Sequence, residues 1–421
     1  MVTLWKTMKY VNNNKSIFGI YLISPALSFI ISINRMYKGD FSVCWIVPFV
    51  MATFAYLFPP YSDFARNLDL VYELKDMPVE LVFLRNSDFI VPLIERFFVK
   101  NNLPIELFRF IYTFIVYYWM NAIFLDMYKK RSLNIREGFY LWCLLFLTIS
   151  FFVYIINLRT LFVNYVLLYS IYRIYYCGKN RYYLLAIFAG FVHFAYIPIV
   201  CILFLSKFIH YELSLRRKVI LSILIIVLSS LSEMNYFLDI ISMLPLNDLI
   251  AKKIEIYTVG EWGANGDLTK HMQTTNYIIY TTLGSFSLYY LYFVYLKNYC
   301  SNKYEGYITI LLGLLLFTAP VTSLFTRYLA FLNSALLLHV IIAYSDGKIP
   351  RKYIRNLLCF QLFTTLLNVY ANWNCLVNGN IIFLLLPVPL AIFQTYDFLE
   401  WCKFRLTDDF NDFINKSIFS R

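Results

Sequence analysis

The chain has 421 residues, of which 60% are hydrophobic, 20% aromatic and only 15% charged. A soluble domain of this size needs far more charge to cover its surface. The net charge of +12 falls in short basic clusters between apolar runs, the pattern that orients membrane helices rather than one that binds nucleic acid. The apolar runs do not alternate as transmembrane β-strands do, which leaves an all-α polytopic membrane protein.

Taken in chain order, apolar segments approaching the ~20 residues needed to cross a bilayer are expected at 16–33, 41–58, 106–125, 138–156, 160–176, 183–206, 218–232, 277–296, 307–325, 328–344, 355–371 and 381–399. That makes about 12 membrane segments in a single integral domain, 1–421. No cleavable leader is visible, so the first run is expected to stay in the mature protein. Two long connections, 59–105 and 233–276, interrupt the series, and function should concentrate there. No internal repeat is found, which weakens an inverted-repeat transporter reading. The eight cysteines include no CxxC and no Cys/His cluster with metal-ligand spacing, so they read as small buried hydrophobes.

Charge sets sidedness. Lys129, Lys130, Arg131 and Arg136, then Lys179 and Arg181, then Lys348, Arg351, Lys352 and Arg355 are assigned to the cytoplasm, which puts both long connections outside. Lys207, Arg216, Arg217 and Lys218 break this pattern if 183–206 crosses once. Gly190, His193 and Pro198 lie near the middle of that segment. A re-entrant pair of half-helices returns the basic loop to the cytoplasm, and irregular backbone at membrane depth is tolerated where it lines a polar cavity. The N-terminal Lys6, Lys9 and Lys15 are left outside without an explanation.

Four features then fall on the outer half. In "SDFAR" (Ser62 to Arg66), Asp63, Arg66 and Asn67 share one face of a helix, either as a surface ion pair or as the lining of a cleft. "NLRT" carries Arg159, and "FTRYL" carries Arg327, each in a tight outer connection. Each arginine alone reads equally as a side chain reaching toward water. Two on the outer face point to an anion, because guanidinium holds phosphate oxygens with two prongs. His193 is either a core histidine bonded to a carbonyl or a base. Farther along, Glu261, Trp262, Asp267 and His271 suit either carbohydrate or an ordinary loop, and "VPLIERFFVKNN" reads as an interfacial helix with Glu95 and Arg96 at its polar edge.

In order, the "SDFAR" segment, the "LR" of Leu158 and Arg159, the "AGFVH" of Ala189 to His193 and the "RY" of Arg327 and Tyr328 resemble the EpsG/Wzy group of membrane polysaccharide polymerases. "SDFA" replaces the more usual SDLY, and Thr160 stands where Gln is often found. The resemblance implies a GT-C-like architecture in a bacterial inner membrane. It implies transfer of a growing glycan from undecaprenyl pyrophosphate to a sugar hydroxyl of another lipid-linked repeat unit, with no nucleotide sugar and no metal or other cofactor. Lipid-linked oligosaccharide repeat units, membrane lipid and a chain-length regulator protein are the implied partners, and nucleic acid is not. On this reading Arg159, Arg327, Arg66 and Tyr328 bind substrate, His193 is the first candidate base and Asp63 the second. A flippase of lipid-linked oligosaccharide and an O-antigen ligase are the rival readings.

Overall fold

The computed structural model describes residues 15–58, 75–85, 88–130, 133–151, 155, 158–208, 216–217, 220–221, 223–225, 302–318, 322–371 and 380–393. Among these residues all regular structure is helical. By internal contacts the chain forms two compact units: Met1–Val82, Ile90–Tyr165 and Ile354–Arg421 in the first, Phe83–Phe89 and Val166–Tyr353 in the second.

The first unit begins with α1 (Lys15–Ile23) and α2 (Pro25–Tyr37). The expected span 16–33 is therefore broken. Ser24 is extended (φ −157°, ψ 106°), its hydroxyl accepts from the Leu27 N–H, and Pro25 opens α2, the helical position where a missing N–H costs least. At the end of α2, Gly39 has φ +98°, its N–H bonds to Met36 O, and the next N–H, of Asp40, reaches back to Arg35 O. This double closure is the common glycine stop for a helix. Asp40 then accepts from Ser42 N–H at the head of a 3-10 turn, Phe41–Trp45, and pairs with Arg35. Despite desolvation, hydrogen bonds from Ser42 and Arg35 and the Arg35 charge hold its carboxyl below the usual range. A Cβ at Gly39 would sit 2.9 Å from Ile135 Cδ1. Gly39→Ala is thus expected to cost about 1–3 kcal/mol, measurable as a lowered melting temperature in detergent.

Helix α3 (Ile46–Leu57) packs along α6 (Glu106–Lys130), and α7 (Ile135–Thr148) packs on α6 in turn. Between α3 and α6 come α4 (Val79–Arg85) and α5 (Ile90–Lys100), so the connection 59–105 holds helices of its own. Asn121 of α6 joins three segments: its Nδ2 donates to the Cys44 carbonyl (2.7 Å), and its Oδ1 accepts from Trp142 Nε1 of α7 (3.1 Å). Asn134 and Glu137 close the start of α7 with a reciprocal capping pair. The unit also holds the first part of α8 (Leu158–Ile171), most of α13 (Arg351–Ala371), a 3-10 segment (Asn380–Leu385) and α14 (Val388–Ile392). The expected span 381–399 is therefore not one helix in its described part, because Pro387 separates two short pieces.

In the second unit α8 ends in a π-helical turn, Tyr172–Tyr176. Next come α9 (Tyr183–Val192) and α10 (Ile197–Leu205), then α11 (Asn302–Thr318) and α12 (Thr322–Ser345). The sequence 183–206 does reverse. Tyr183 and Phe204 rings lie 4.7 Å apart across the two helices, whereas 21 residues of unbroken helix would hold them about 30 Å apart. Gly190 allows this approach, since a Cβ there would meet Ile197 Cγ1 at 3.3 Å and Val200 Cγ2 at 3.7 Å. The π turn aims Tyr175 at Ser206 (Oη to Oγ 2.5 Å) and Tyr176 at His339 Nδ1, while Tyr304 stacks on the His339 ring at 4.8 Å.

Among the described residues, two helices, α6 and the Leu324–Ser345 part of α12, are long and apolar enough to cross a membrane. Phe41–Leu57, Phe194–Leu205 and Gly306–Thr318 are apolar but shorter. Large apolar side chains stand exposed on the hairpin (Leu184, Phe188, Phe191, Phe208) and on α13 (Phe363, Leu366, Tyr370). The connection 233–276 and the span 277–296 lie outside the described residues, as does most of 218–232.

Candidate functional site

The helix pair α9–α10 turns at His193, which leaves helical geometry (φ −147°, ψ 108°) while its carbonyl accepts from Tyr196 N–H. A break of this kind exposes backbone groups that need partners. Asp88, from the segment just before α5, supplies one. Its Oδ1 accepts from the Phe194 N–H at 2.7 Å, and its Oδ2 lies 3.2 Å from His193 Nδ1. Phe89 anchors the segment against Phe83 and Phe191, at ring separations of 5.0 and 5.7 Å. Asp88 and His193 are 5% and 7% exposed, so the pair is withdrawn from water, where electrostatic interactions strengthen.

Helix α12 meets the same turn. The Tyr328 hydroxyl donates to the Ala195 carbonyl at 2.6 Å, and its ring lies 6.3 Å from that of Tyr196. Tyr328, expected to bind substrate, therefore has its hydroxyl engaged in tying α12 to the hairpin apex. Arg327 precedes it and is half-buried. The sequence places Arg327 in a tight connection between helices, whereas it lies inside α12, in its second turn.

Comparison with known proteins finds no matching family model, no matching curated protein and no matching solved structure.

Arg159 belongs to the first unit, half-buried in the first turn of α8. It faces Glu95 of α5 electrostatically, and Glu95 also faces Tyr112 of α6. Glu95 is not at a polar edge: it is buried along with Val91, Pro92, Phe98 and Val99. Burial raises its carboxyl to about 8, with Arg159 opposing the shift. The neighbouring Arg96 donates from Nε to the Met77 carbonyl. Asp63, Arg66 and Asn67, like Glu261, Trp262, Asp267 and His271, lie outside the described residues.

The structure thus brings His193 and Tyr328 together, with Arg327 on the same turn of α12, and adds Asp88, which the sequence reading passed over. A signal was available. The tripeptide Ser-Asp-Phe occurs at Ser62–Phe64 and again at Ser87–Phe89. An imidazole whose Nδ1 faces a carboxylate favours the tautomer that leaves Nε2 as an acceptor. Such an arrangement can take a proton from a hydroxyl.

Proposed function

We propose that the chain is a multi-pass glycosyltransferase of the bacterial inner membrane, of the polysaccharide-polymerase type, with a GT-C-like architecture and about 12 membrane segments. The α9–α10 hairpin is read as re-entering the bilayer from the cytoplasmic side, with its apex carrying the chemistry. In the reaction, the bond between the donor's anomeric carbon and the pyrophosphate oxygen breaks, and the electron pair leaves on the pyrophosphate. The acceptor sugar hydroxyl forms the new carbon–oxygen bond and gives its proton to His193 Nε2, while Asp88 holds Nδ1. Arg327, in the same unit as His193, is assigned to the charge that builds on the departing undecaprenyl pyrophosphate, Arg159 to substrate binding in the first unit, and Asp63 and Arg66 to the acceptor entrance. No nucleotide sugar or metal is assigned a role.

The observation supporting this reading is the buried Asp88–His193 pair at the hairpin apex, against the helix that carries Arg327 and Tyr328. It is tested by reconstitution with lipid-linked repeat units. Arg159→Ala, Arg327→Ala and His193→Ala should each shorten the polymer and lower its rate by about 10²-fold or more. Undiminished chain length in all three variants removes the mechanism. Movement of repeat units across the vesicle wall with no joined product assigns the chain to transport instead.

A further inference from the structure

We propose that the open end of the α9–α10 hairpin binds an anionic phospholipid, whose headgroup phosphate meets Lys179, Arg181 and Lys207 and whose acyl chains lie along Leu184, Leu205 and Phe208. The proposal rests on the membrane reading and not on the polymerase chemistry, since the Asp88–His193 pair occupies the opposite end of the same hairpin.

Two anchors bring these residues to one place. The Tyr175 and Ser206 hydroxyls share a hydrogen bond of 2.5 Å, and the Tyr183 and Phe204 rings lie 4.7 Å apart. Lys179 and Arg181 belong to the short stretch between Tyr175 and Tyr183, and Lys207 follows Ser206. That stretch is itself held. Gly178 has φ +64°, the Lys179 N–H reaches back to the Arg173 carbonyl at 2.9 Å, and a 3-10 turn, Asn180–Tyr182, leads into α9. The Tyr182 ring stands edge-on to Tyr169 at 5.6 Å, with the Arg173 guanidinium 5.9 Å from it. Past the end of α10, the Lys207 and Phe208 N–H groups bond back to the Phe204 and Leu205 carbonyls at 3.1 and 2.9 Å.

Exposed cations and exposed apolar side chains adjoin here. Lys179, Arg181 and Lys207 all face outward. Among the described residues no carboxylate pairs with any of the three, whereas Arg35 pairs with Asp40 and Lys130 with Asp126. The Arg181 guanidinium lies over the Tyr182 ring at 5.3 Å, and a guanidinium held this way keeps N–H donors for phosphate oxygens. Beside these cations Leu184, Leu205 and Phe208 are 72%, 50% and 78% exposed. Nucleic acid or an acidic peptide would answer the charge and leave that apolar surface in water. A phospholipid answers both, because its phosphate sits at the level where its acyl chains begin. Cations at such an interface are drawn to anionic headgroups in particular.

The experiment measures binding of a fluorescent phosphatidylglycerol to the purified full chain in an uncharged detergent, with phosphatidylcholine of the same acyl chains as the reference. The wild type should bind phosphatidylglycerol about tenfold or more tightly, the order expected of three cations near an anionic headgroup, and the difference should shrink as salt is raised. Lys179→Gln/Arg181→Gln/Lys207→Gln should remove the preference and leave phosphatidylcholine binding as it was. Lys129→Gln/Lys130→Gln/Arg136→Gln takes the same charge from exposed residues at the ends of α6 and α7 and should keep the preference. Glycerol phosphate, the headgroup without its chains, should not displace the lipid. Equal binding of the two lipids by the wild type overturns the proposal whether or not a variant folds. Equal losses in the two triple variants reduce the effect to overall charge, and displacement by glycerol phosphate assigns the cations to a free anion; either result overturns it too. The assay contains no sugar substrate, so its failure leaves the polymerase reading standing, and a chain that joins no sugars can still pass it.

Discussion

Asp88→Asn should reduce polymer formation by about 10²–10⁴-fold, the range associated with losing an oriented general base. Asparagine matches the shape of aspartate, and its amide oxygen can still accept from the Phe194 N–H, as Asp88 Oδ1 does at 2.7 Å. The second position changes. An NH₂ group would then face His193 Nδ1, where Oδ2 now lies at 3.2 Å. A donor there favours the tautomer with its proton on Nε2, and the imidazole can no longer accept from a sugar hydroxyl. The hairpin should stay folded, so size-exclusion behaviour should match the wild type while polymer yield from lipid-linked repeat units collapses. His193→Ala combined with Asp88→Asn should be little worse than either alone, because the two act as one unit. Wild-type chain lengths from Asp88→Asn would mean that the carboxylate only shapes the turn.

Asn121→Leu should cost about 1–3 kcal/mol of stability, the penalty for stranding buried polar groups. Leucine has the same number of side-chain heavy atoms, branched at the same carbon, but has neither donor nor acceptor. The Cys44 carbonyl and the Trp142 indole N–H would both lose their partner (2.7 and 3.1 Å), in a place where Cys44 and Trp142 are buried. Bonds between helices within lipid average well below 1 kcal/mol, which favours the lower part of that range. Trp142→Phe removes the indole donor and leaves the Cys44 bond intact, so it should cost less. Thermal unfolding in detergent reads both. A melting temperature of Asn121→Leu equal to that of the wild type would show that water or another group satisfies the two orphans.

How much of this was legible in the sequence differs from residue to residue. The reversal at His193 was legible because three separate cues agreed: a conformationally permissive glycine, a proline, and a basic loop on the wrong side for a single crossing. The break at Ser24–Pro25 carried an equally plain cue, a serine before proline, but a hydropathy reading averages over single residues and merged two helices into one span. Arg327 was misplaced for the opposite reason. Its charge marks a connection between the expected spans 307–325 and 328–344, yet Thr322 to Arg327 are helical, since one charged residue near a helix end can be accommodated by its length. Asp88 and Glu95 carry the weakest signal in the sequence. Amphipathic spacing says which residues share a face, and nothing in it tells whether the polar side looks at solvent or at another helix. Glu95 was assigned to a polar edge on that basis and is buried, because Arg159 and Tyr112 come from positions more than fifteen residues away in the chain.

The π turn at Tyr172–Tyr176 has a genetic consequence. A π turn takes up one more residue than the α-helical turn it replaces at the end of α8, so Tyr175 and Tyr176 owe their aim at Ser206 and His339 to a count as much as to their chemistry. Deleting any one residue there would let the segment relax into ordinary helix and swing everything downstream by about 100°, pulling both phenols off their partners. Conservative replacements inside this pentapeptide leave the count untouched. Frame-preserving loss of a single codon does not, and selection should tolerate the first far more readily than the second.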